Sequence, residues 1–159
     1  MELSKLLVNL QMGDTLYLNF GISSTEFGSI HEGILLYRGN ESIFGKHVVY
    51  NYGVSLTKNG VIKIDPRSKS ISLETDSILK FYEINNADYF VKKKEWKLED
   101  RQIEYLKIYF TELENFKEPE GFSNVPDFYA VICGEESFVV IDKVGKWDKF
   151  LEVKKILKL

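Results

Sequence analysis

The sequence predicts an α+β fold: a single, mostly antiparallel sheet packed by one long helix at residues 98–117, with short N-terminal and C-terminal helices. Three observations favour this fold. Apolar residues recur at helical spacing in three segments, short stretches rich in Val, Ile, Tyr and Phe fill residues 15–91, and two nearly continuous apolar runs follow the long helix. No internal repeat is visible, so one sheet with helices against it is the simplest architecture.

The length and composition predict one α+β domain over residues 1–159. Hydrophobic residues make up 44% of the chain and aromatic residues 14%, which is enough to build a core and argues against disorder. No apolar run approaches the ~20 residues that cross a bilayer, and the start lacks the pattern of a secretory signal. Cys133 is the only cysteine, so no internal disulfide can form. We therefore expect a cytoplasmic protein without a membrane span.

The first half of the chain is predicted to be one short helix followed by strands. Four leucines have the i, i+3, i+4, i+7 spacing of an amphipathic helix: Leu3, Leu6, Leu7 and Leu10. Gly13 closes this helix. Strands are expected at 15–20, 33–37, 48–52, 61–65, 70–74 and 78–84. The sequence Lys58-Asn59-Gly60 is a turn signal between two of them.

The long helix has the clearest pattern in the second half. Its apolar stripe consists of Ile103, Leu106, Phe110, Leu113 and Phe116, with Glu and Lys on the other side. Residues 128–133 and 137–142 follow as two runs that are apolar on both faces, which is typical of central strands covered on both sides. Gly134-Glu135-Glu136 joins them, so we expect an antiparallel pair that turns there. Residues 147–157 are predicted to form the last helix.

The charges are distributed unevenly along the chain. Residues 95–136 carry 11 acidic and 4 basic residues, a net charge of −7, whereas residues 143–159 carry a net charge of +4. We therefore expect a polarised molecule. The acidic central stretch opposes phosphate groups, so nucleic acid is not an expected partner.

The residue types leave little material for a cofactor. Two histidines and one cysteine are too few for the usual transition-metal sites, so we expect no metal. No P-loop, Gly-x-Ser-x-Gly elbow or dinucleotide-binding fingerprint is present, so we expect no nucleotide cofactor either.

The function that the sequence favours first is non-catalytic protein binding. A small acidic domain could cover a basic site on a partner protein, as bacterial immunity proteins and similar inhibitors do, because its acidic stretch would steer it towards cations. The candidate contact residues are Glu112, Glu114, Glu118, Glu120 and Trp96. The alternative for the glutamates is a solvated helix face, and for Trp96 it is packing on a half-buried sheet.

His31 and Cys133 offer an alternative function, because an imidazole that takes the proton of a thiol creates a nucleophile. Gly13-Asp14-Thr15-Leu16-Tyr17 opens a strand, and His31-Glu32-Gly33-Ile34-Leu35-Leu36-Tyr37-Arg38-Gly39 and Val48-Val49-Tyr50 follow. This order resembles the lecithin retinol acyltransferase-like branch of the papain-like thiol enzymes. The resemblance implies a thiol hydrolase or acyltransferase in which Cys133 is the nucleophile and His31 the base.

The second part of the resemblance follows the long helix and extends it over residues 13–146. Tyr129, Phe138-Val139 and Gly145 look like the segment that carries the family's cysteine, which opens a helix three residues before that Phe. In this chain that position is Glu135, and Cys133 stands two residues earlier, at the end of a strand-like run. The alternative for Cys133 is a buried small hydrophobe, and for His31 it is a hydrogen bond to the backbone. Whether the protein is an enzyme therefore stays open from the sequence.

Overall fold

The computed structural model describes residues 2–22, 30–50, 55–57, 60–62, 90–123 and 126–159. Its elements in chain order are α1 (Leu3–Asn9), β1 (Thr15–Ile22), β2 (Ile30–Arg38), β3 (Ile43–Tyr50), β4 (Ser55–Thr57), β5 (Gly60–Ile62), β6 (Phe90–Lys97), α2 (Asp100–Glu114), β7 (Asp127–Cys133), β8 (Glu136–Asp142) and α3 (Lys149–Leu157). This arrangement confirms the α+β prediction. None of the helices in these ranges is long and apolar enough to cross a membrane.

Six of the strands form one sheet in the order β6-β3-β2-β1-β7-β8, and every neighbouring pair in it is antiparallel. β4 and β5 form a separate antiparallel pair on either side of residues 58–59. The predicted hairpin of β7 and β8 is confirmed, and Gly134 makes its turn with a positive φ of 58°. β7 lies inside the sheet, as predicted for a central strand, and β8 is the last strand in the order that the described residues define.

The strands differ in detail from the sequence prediction. β3 begins at Ile43, five residues before the predicted start, and β6 was not predicted because its sequence FVKKKEWK is mostly charged. The predicted strands at 70–74 and 78–84 lie outside the described residues. α2 is shorter than the predicted 98–117, because Glu99 and Gln102 form a capping box that starts the helix at Asp100.

The three helices pack on one face of the sheet. The main core joins all three helices to the strands, with buried residues such as Leu7 of α1, Leu106 of α2 and Val153 of α3 against Leu18 and Ile34. A polar contact fixes the start of α1, because the backbone N–H of Leu3 donates to the Glu114 carboxylate at the end of α2. Burial of these apolar side chains contributes most of the stability, at about 1.5–3 kcal/mol each.

The opposite face of the sheet holds a second, smaller apolar cluster around Phe128 and Ala130. Gly21 of β1 pairs with Phe128 of β7, and a Cβ at Gly21 would collide with the Phe128 ring. The glycine is therefore required here by close packing. Asn19 lies two residues away and is 1% exposed, and its amide has no hydrogen-bond partner among the described residues.

Replacing Leu106 by Asp should unfold the protein, because Leu106 is fully buried between α2 and the sheet. An unpaired carboxylate at this position should lower the free energy of unfolding by about 4 kcal/mol or more. Urea titration followed by circular dichroism measures the loss. The matched control is Ile108→Asp on the same helix, where the side chain is 55% exposed and the effect should stay within about 0.5 kcal/mol. Equal effects of the two substitutions would contradict the packing.

Candidate functional site

Asp142, the last residue of β8, organises the loop that leads into α3. Its carboxylate is fully buried and accepts three backbone hydrogen bonds, from the N–H groups of Val144 at 3.0 Å and of Lys146 and Trp147 at 2.7 Å each. Gly145 takes the positive φ of 66° that the tight loop needs. The carboxylate therefore fixes the position of Trp147 just before α3 begins.

Trp147 joins β7 to the helices through its ring and its backbone. The Tyr129 hydroxyl donates a hydrogen bond to the Trp147 carbonyl, and the two rings meet edge to face with centroids 4.6 Å apart. The Trp147 ring also contacts Tyr109 and Phe116. Phe20 of β1 stacks on Phe150 of α3 at 5.0 Å and contacts Tyr129 at 5.4 Å. Aromatic rings thus form a continuous cluster between β1, β7 and α3.

A small pocket opens in this cluster, and we call it the Asp127 pocket. Its volume is about 90 Å³, which is the space of about three water molecules. Aromatic side chains and two carboxylates line it: Phe20, Tyr129, Trp147, Phe150, Asp127 and Asp148. Leu151, which is 50% exposed, stands at its rim. The pocket is therefore apolar inside and acidic at its edge.

The Asp127 carboxyl has a strongly perturbed pKa. Burial and, to a smaller extent, the neighbouring Asp142 carboxylate raise this pKa to about 6, against the opposing effect of the nearby Tyr129 hydroxyl. Asp127 and Asp142 are direct partners in the register of β7 and β8. Burial also raises the pKa of Tyr129, and the carboxylates of Asp127, Asp142 and Asp148 add to that shift. The carboxylates of Asp127, Asp142 and Asp148 thus all contribute to the raised pKa of Tyr129 at this small pocket.

No basic side chain forms an ion pair with Asp127 within the described part of the chain, whereas the pKa of Lys149 is raised by its hydrogen bond to Glu152 and, to a smaller extent, by the charge of Asp148. The acids elsewhere in the 95–136 stretch are different, because most of them have a cationic neighbour or a structural role. The ion pairs are Glu99–Arg101, Glu104–Lys107, Glu118–Lys143, Glu112–Lys149 and Glu95–Lys46. Two of these pairs join the acidic stretch to the basic tail, so the two oppositely charged segments are partly matched in space.

The structure does not bring the predicted binding residues together. Glu112 and Glu118 are in ion pairs at 3.7 and 3.5 Å, and Glu114 accepts the N–H of Leu3. Glu120 is exposed in the loop after α2. Trp96 lies in β6 with its ring against the main core, and its Nε1 is buried without a partner among the described residues. Trp96 is therefore a packing residue, because the face of β6 that carries it points towards the helices.

His31 and Cys133 also lie apart. On β1, Leu16 pairs with Cys133 and Gly21 pairs with His31, which separates the two positions by about 17 Å along the strands at roughly 3.3 Å a residue, with β1 between them. Cys133 ends a strand, and residues 136–142 form another strand where the resembling family has a helix. This geometry gives no support to the thiol-enzyme alternative, which stays a prediction.

A second polar cluster ties α3 to the sheet. Lys154 of α3 lies 2.8 Å from the Glu32 carboxylate of β2, and His47 Nε2 of β3 lies 3.0 Å from it. Burial acts to raise the pKa of Glu32, but the hydrogen bonds from His47 and Lys154 outweigh it, and the net shift is downward. The charges of this cluster are matched within it, so we interpret it as structural.

Sequence reasoning missed Asp127, Asp142, Tyr129 and Trp147. A signal for the two aspartates was present, because one precedes the apolar run 128–133 and the other ends the run 137–142. A hairpin that turns at Gly134 places those two positions opposite each other. Within the described residues, no group of His, Cys, Asp and Glu side chains has the geometry to hold a metal ion.

Comparison with known proteins gives no relative for this chain. No protein-family model matches it, and no curated protein and no solved structure matches it significantly. The chemistry of the Asp127 pocket is therefore the basis for a functional proposal.

Asp127→Asn should stabilise the protein at pH 7. The folded pKa of about 6 lies above the unfolded value of 3.8, so the folded state holds the proton more tightly and stability falls as the pH rises from about 4 to about 6. Removing the charge should raise the free energy of unfolding by about 1–2 kcal/mol at pH 7, after allowance for solvent screening at this half-buried site. At pH 4 the free energy of unfolding should change little, because Asp127 is protonated in the folded protein there. Urea unfolding at the two pH values measures this change in the free energy of unfolding. Glu120→Gln neutralises an exposed carboxylate and should leave the free energy of unfolding unchanged at both pH values. A loss of stability in Asp127→Asn at pH 7 would contradict the raised pKa of Asp127.

Cys133 should react slowly with iodoacetamide at pH 7 in the folded protein and rapidly once it is unfolded. Burial raises the pKa of its thiol, and the carboxylates of Asp14 and Glu136 raise it further, so little thiolate is present near neutral pH. Mass spectrometry of labelled samples between pH 5 and pH 9, with His31→Ala in parallel, gives the rates. Fast labelling near pH 7 that drops in His31→Ala would instead favour the thiol enzyme.

Proposed function

We propose that this chain is a non-catalytic protein-binding domain that takes one basic side chain of a partner protein into the Asp127 pocket. An inhibitor that covers a basic site, as small bacterial immunity proteins do, is the form of this function that the sequence favours. The observation that carries the proposal is that Asp127 lies half-buried at an aromatic pocket without an ion pair among the described residues, whereas five glutamates of the 95–136 stretch form ion pairs.

A lysine ammonium group matches each property of the pocket. It would give Asp127 the opposite charge that the described residues do not supply, which favours the ionised carboxylate. The rings of Tyr129 and Trp147 add a cation–π attraction of about 0.5–2 kcal/mol. The exposed Leu151 at the rim would cover the apolar stem of the incoming side chain. The pocket volume of about 90 Å³ admits the end of one side chain and excludes larger groups.

The partly buried position makes this pair stronger than an ordinary surface ion pair. Exposed pairs contribute about 0–1 kcal/mol, because water screens both charges and two flexible side chains lose entropy. Here the carboxylate is already half-buried beside the aromatic cluster, so part of its desolvation has occurred on folding. The pocket therefore supplies a site around which a wider interface can form.

Binding of the tripeptide N-acetyl-Ala-Lys-Ala-amide should shift the indole N–H signal of Trp147 in a saturable way in NMR titrations. Trp96, the only other tryptophan, serves as an internal control because it lies in β6, away from the pocket. Since Asp127 has a pKa of about 6, affinity should be about tenfold weaker at pH 5 than at pH 7. Asp127→Asn should abolish the pH dependence and weaken binding, and Glu120→Gln should not.

The same tripeptide with norleucine in place of lysine tests whether the charge is recognised. It keeps the linear apolar stem and lacks the ammonium group, so it should not shift the Trp147 signal. An equal response to the two peptides, or an unchanged affinity in Asp127→Asn, would refute the proposed function.

A further inference from the structure

One aromatic side chain near the Asp127 pocket lies outside the core. Phe122 is in the loop between α2 and β7, and its ring is 84% exposed, the largest exposed fraction among the exposed large apolar side chains that the structure describes. A single exposed apolar residue is common on protein surfaces. What distinguishes Phe122 is its position, because the loop that carries it is attached to the loop that forms the Asp127 pocket.

The backbone on both sides of Phe122 is held against the loop that leads into α3. On one side, the N–H of Ser123 donates to the Lys143 carbonyl at 3.0 Å. On the other side, a Cβ at Gly121 would come within 3.4 Å of the buried Val144 side chain. The exposed ring therefore projects from a segment whose two neighbours are both fixed in place.

The same contacts place Phe122 close to the Asp127 pocket. Gly145, two residues after Lys143, lines the pocket. Since successive Cα atoms are about 3.8 Å apart, the path through the Ser123–Lys143 hydrogen bond puts the Phe122 Cα within about 12 Å of the Gly145 Cα. An extended peptide covers that distance in three or four residues, at roughly 3.3–3.6 Å each. One short segment of a partner can therefore reach both the pocket and the ring.

The group that covers Phe122 is selected by the ring rather than by charge. Glu120 and Lys146 are exposed in the two adjoining loops, and neither has an ion pair among the described residues. Their opposite charges favour neither a cation nor an anion beside the ring. An aliphatic or aromatic side chain is the best cover for an exposed ring, because the apolar surfaces of both then leave water.

We propose that Phe122 is the second contact of the partner, whose binding segment carries an apolar side chain about three residues from the lysine that enters the Asp127 pocket. The contact rests on the proposed function and adds to it the kind of residue that the partner presents beside its cation. Asp127 recognises the charge, and Phe122 recognises apolar surface. Together they select a basic residue with an apolar neighbour over one in a polar segment.

Two pentapeptides test this contact, N-acetyl-Leu-Ala-Ala-Lys-Ala-amide and N-acetyl-Ala-Lys-Ala-Ala-Leu-amide, which place leucine three residues before or after the lysine. One of them should bind about tenfold more tightly than the same peptide with alanine in place of leucine, because leucine and the Phe122 ring both leave water. Arginine in place of leucine should give a smaller gain. The indole N–H signal of Trp147 reports the affinities by NMR, as for the tripeptide.

Variants of Phe122 locate the gain. Phe122→Ala should remove the gain from leucine and leave the affinity for N-acetyl-Ala-Lys-Ala-amide unchanged, whereas Phe122→Leu should keep most of it. Neither change should disturb the fold, since the ring is exposed. Met12→Ala is the matched control. Met12 is 62% exposed and bridges to Arg38, at the end of the sheet opposite to Asp127, so this variant should bind every peptide as the wild type does.

The tripeptide and the pentapeptides separate a failure of this contact from a failure of the pocket. If the tripeptide does not bind, the proposed function is refuted and the Phe122 contact with it. If the tripeptide binds but leucine adds nothing, or adds as much in Phe122→Ala, the Phe122 contact alone is refuted. An equal gain from arginine would assign the effect to Glu120 and overturn the contact. A Phe122 ring signal that moves with protein concentration without peptide would show that a second copy of the chain covers the ring, which would overturn it too.

Discussion

The Asp142 carboxylate has lost all contact with water, and three backbone N–H groups take the place of its hydration. Burying an ionised carboxylate costs many kcal/mol unless such partners are present, whereas each hydrogen bond to a charged group contributes about 1.5–3 kcal/mol. The position of α3 depends on this balance. The same three bonds fold the loop that carries Trp147, and Trp147 in turn meets Tyr129 and the helix α2. One polar group thus determines how the last helix joins the sheet and where the Asp127 pocket forms.

The charges of the molecule are more evenly matched in space than along the chain. Lys143 and Lys149 of the basic tail lie beside Glu118 and Glu112 of the acidic stretch, because the hairpin and α3 return the end of the chain to α2. A charge count over a linear window cannot detect this compensation. For the proposed recognition of a basic side chain, the relevant carboxylates are those with apolar surroundings, since a low dielectric strengthens their interaction with a cation.

Local patterns predicted much of the fold and little of the site. The stripe from Ile103 to Leu113 predicted α2, and the apolar runs around Gly134 predicted the hairpin of β7 and β8. Both elements could be predicted because each depends on neighbours within a few residues. β6 was not predicted, because its charged sequence becomes a strand only through pairing with β3, more than 40 residues earlier. The raised pKa of Asp127 also depends on tertiary burial. The hairpin pattern could have placed Asp127 opposite Asp142, but the burial of either carboxylate depends on contacts with more distant parts of the chain.

The central place of β1 in the sheet has a consequence for synthesis of the protein on the ribosome. β1 pairs with β2 on one side and with β7 on the other, and β7 begins more than 100 residues after β1. Until the C-terminal hairpin has been made, one edge of a strand with the sequence TLYLNFGI has no native partner. Such an edge is a template for pairing with other chains, and contacts of this sequence separation form slowly. The nascent chain therefore passes through a period of exposure to aggregation, in which chaperone binding to β1 is of most value.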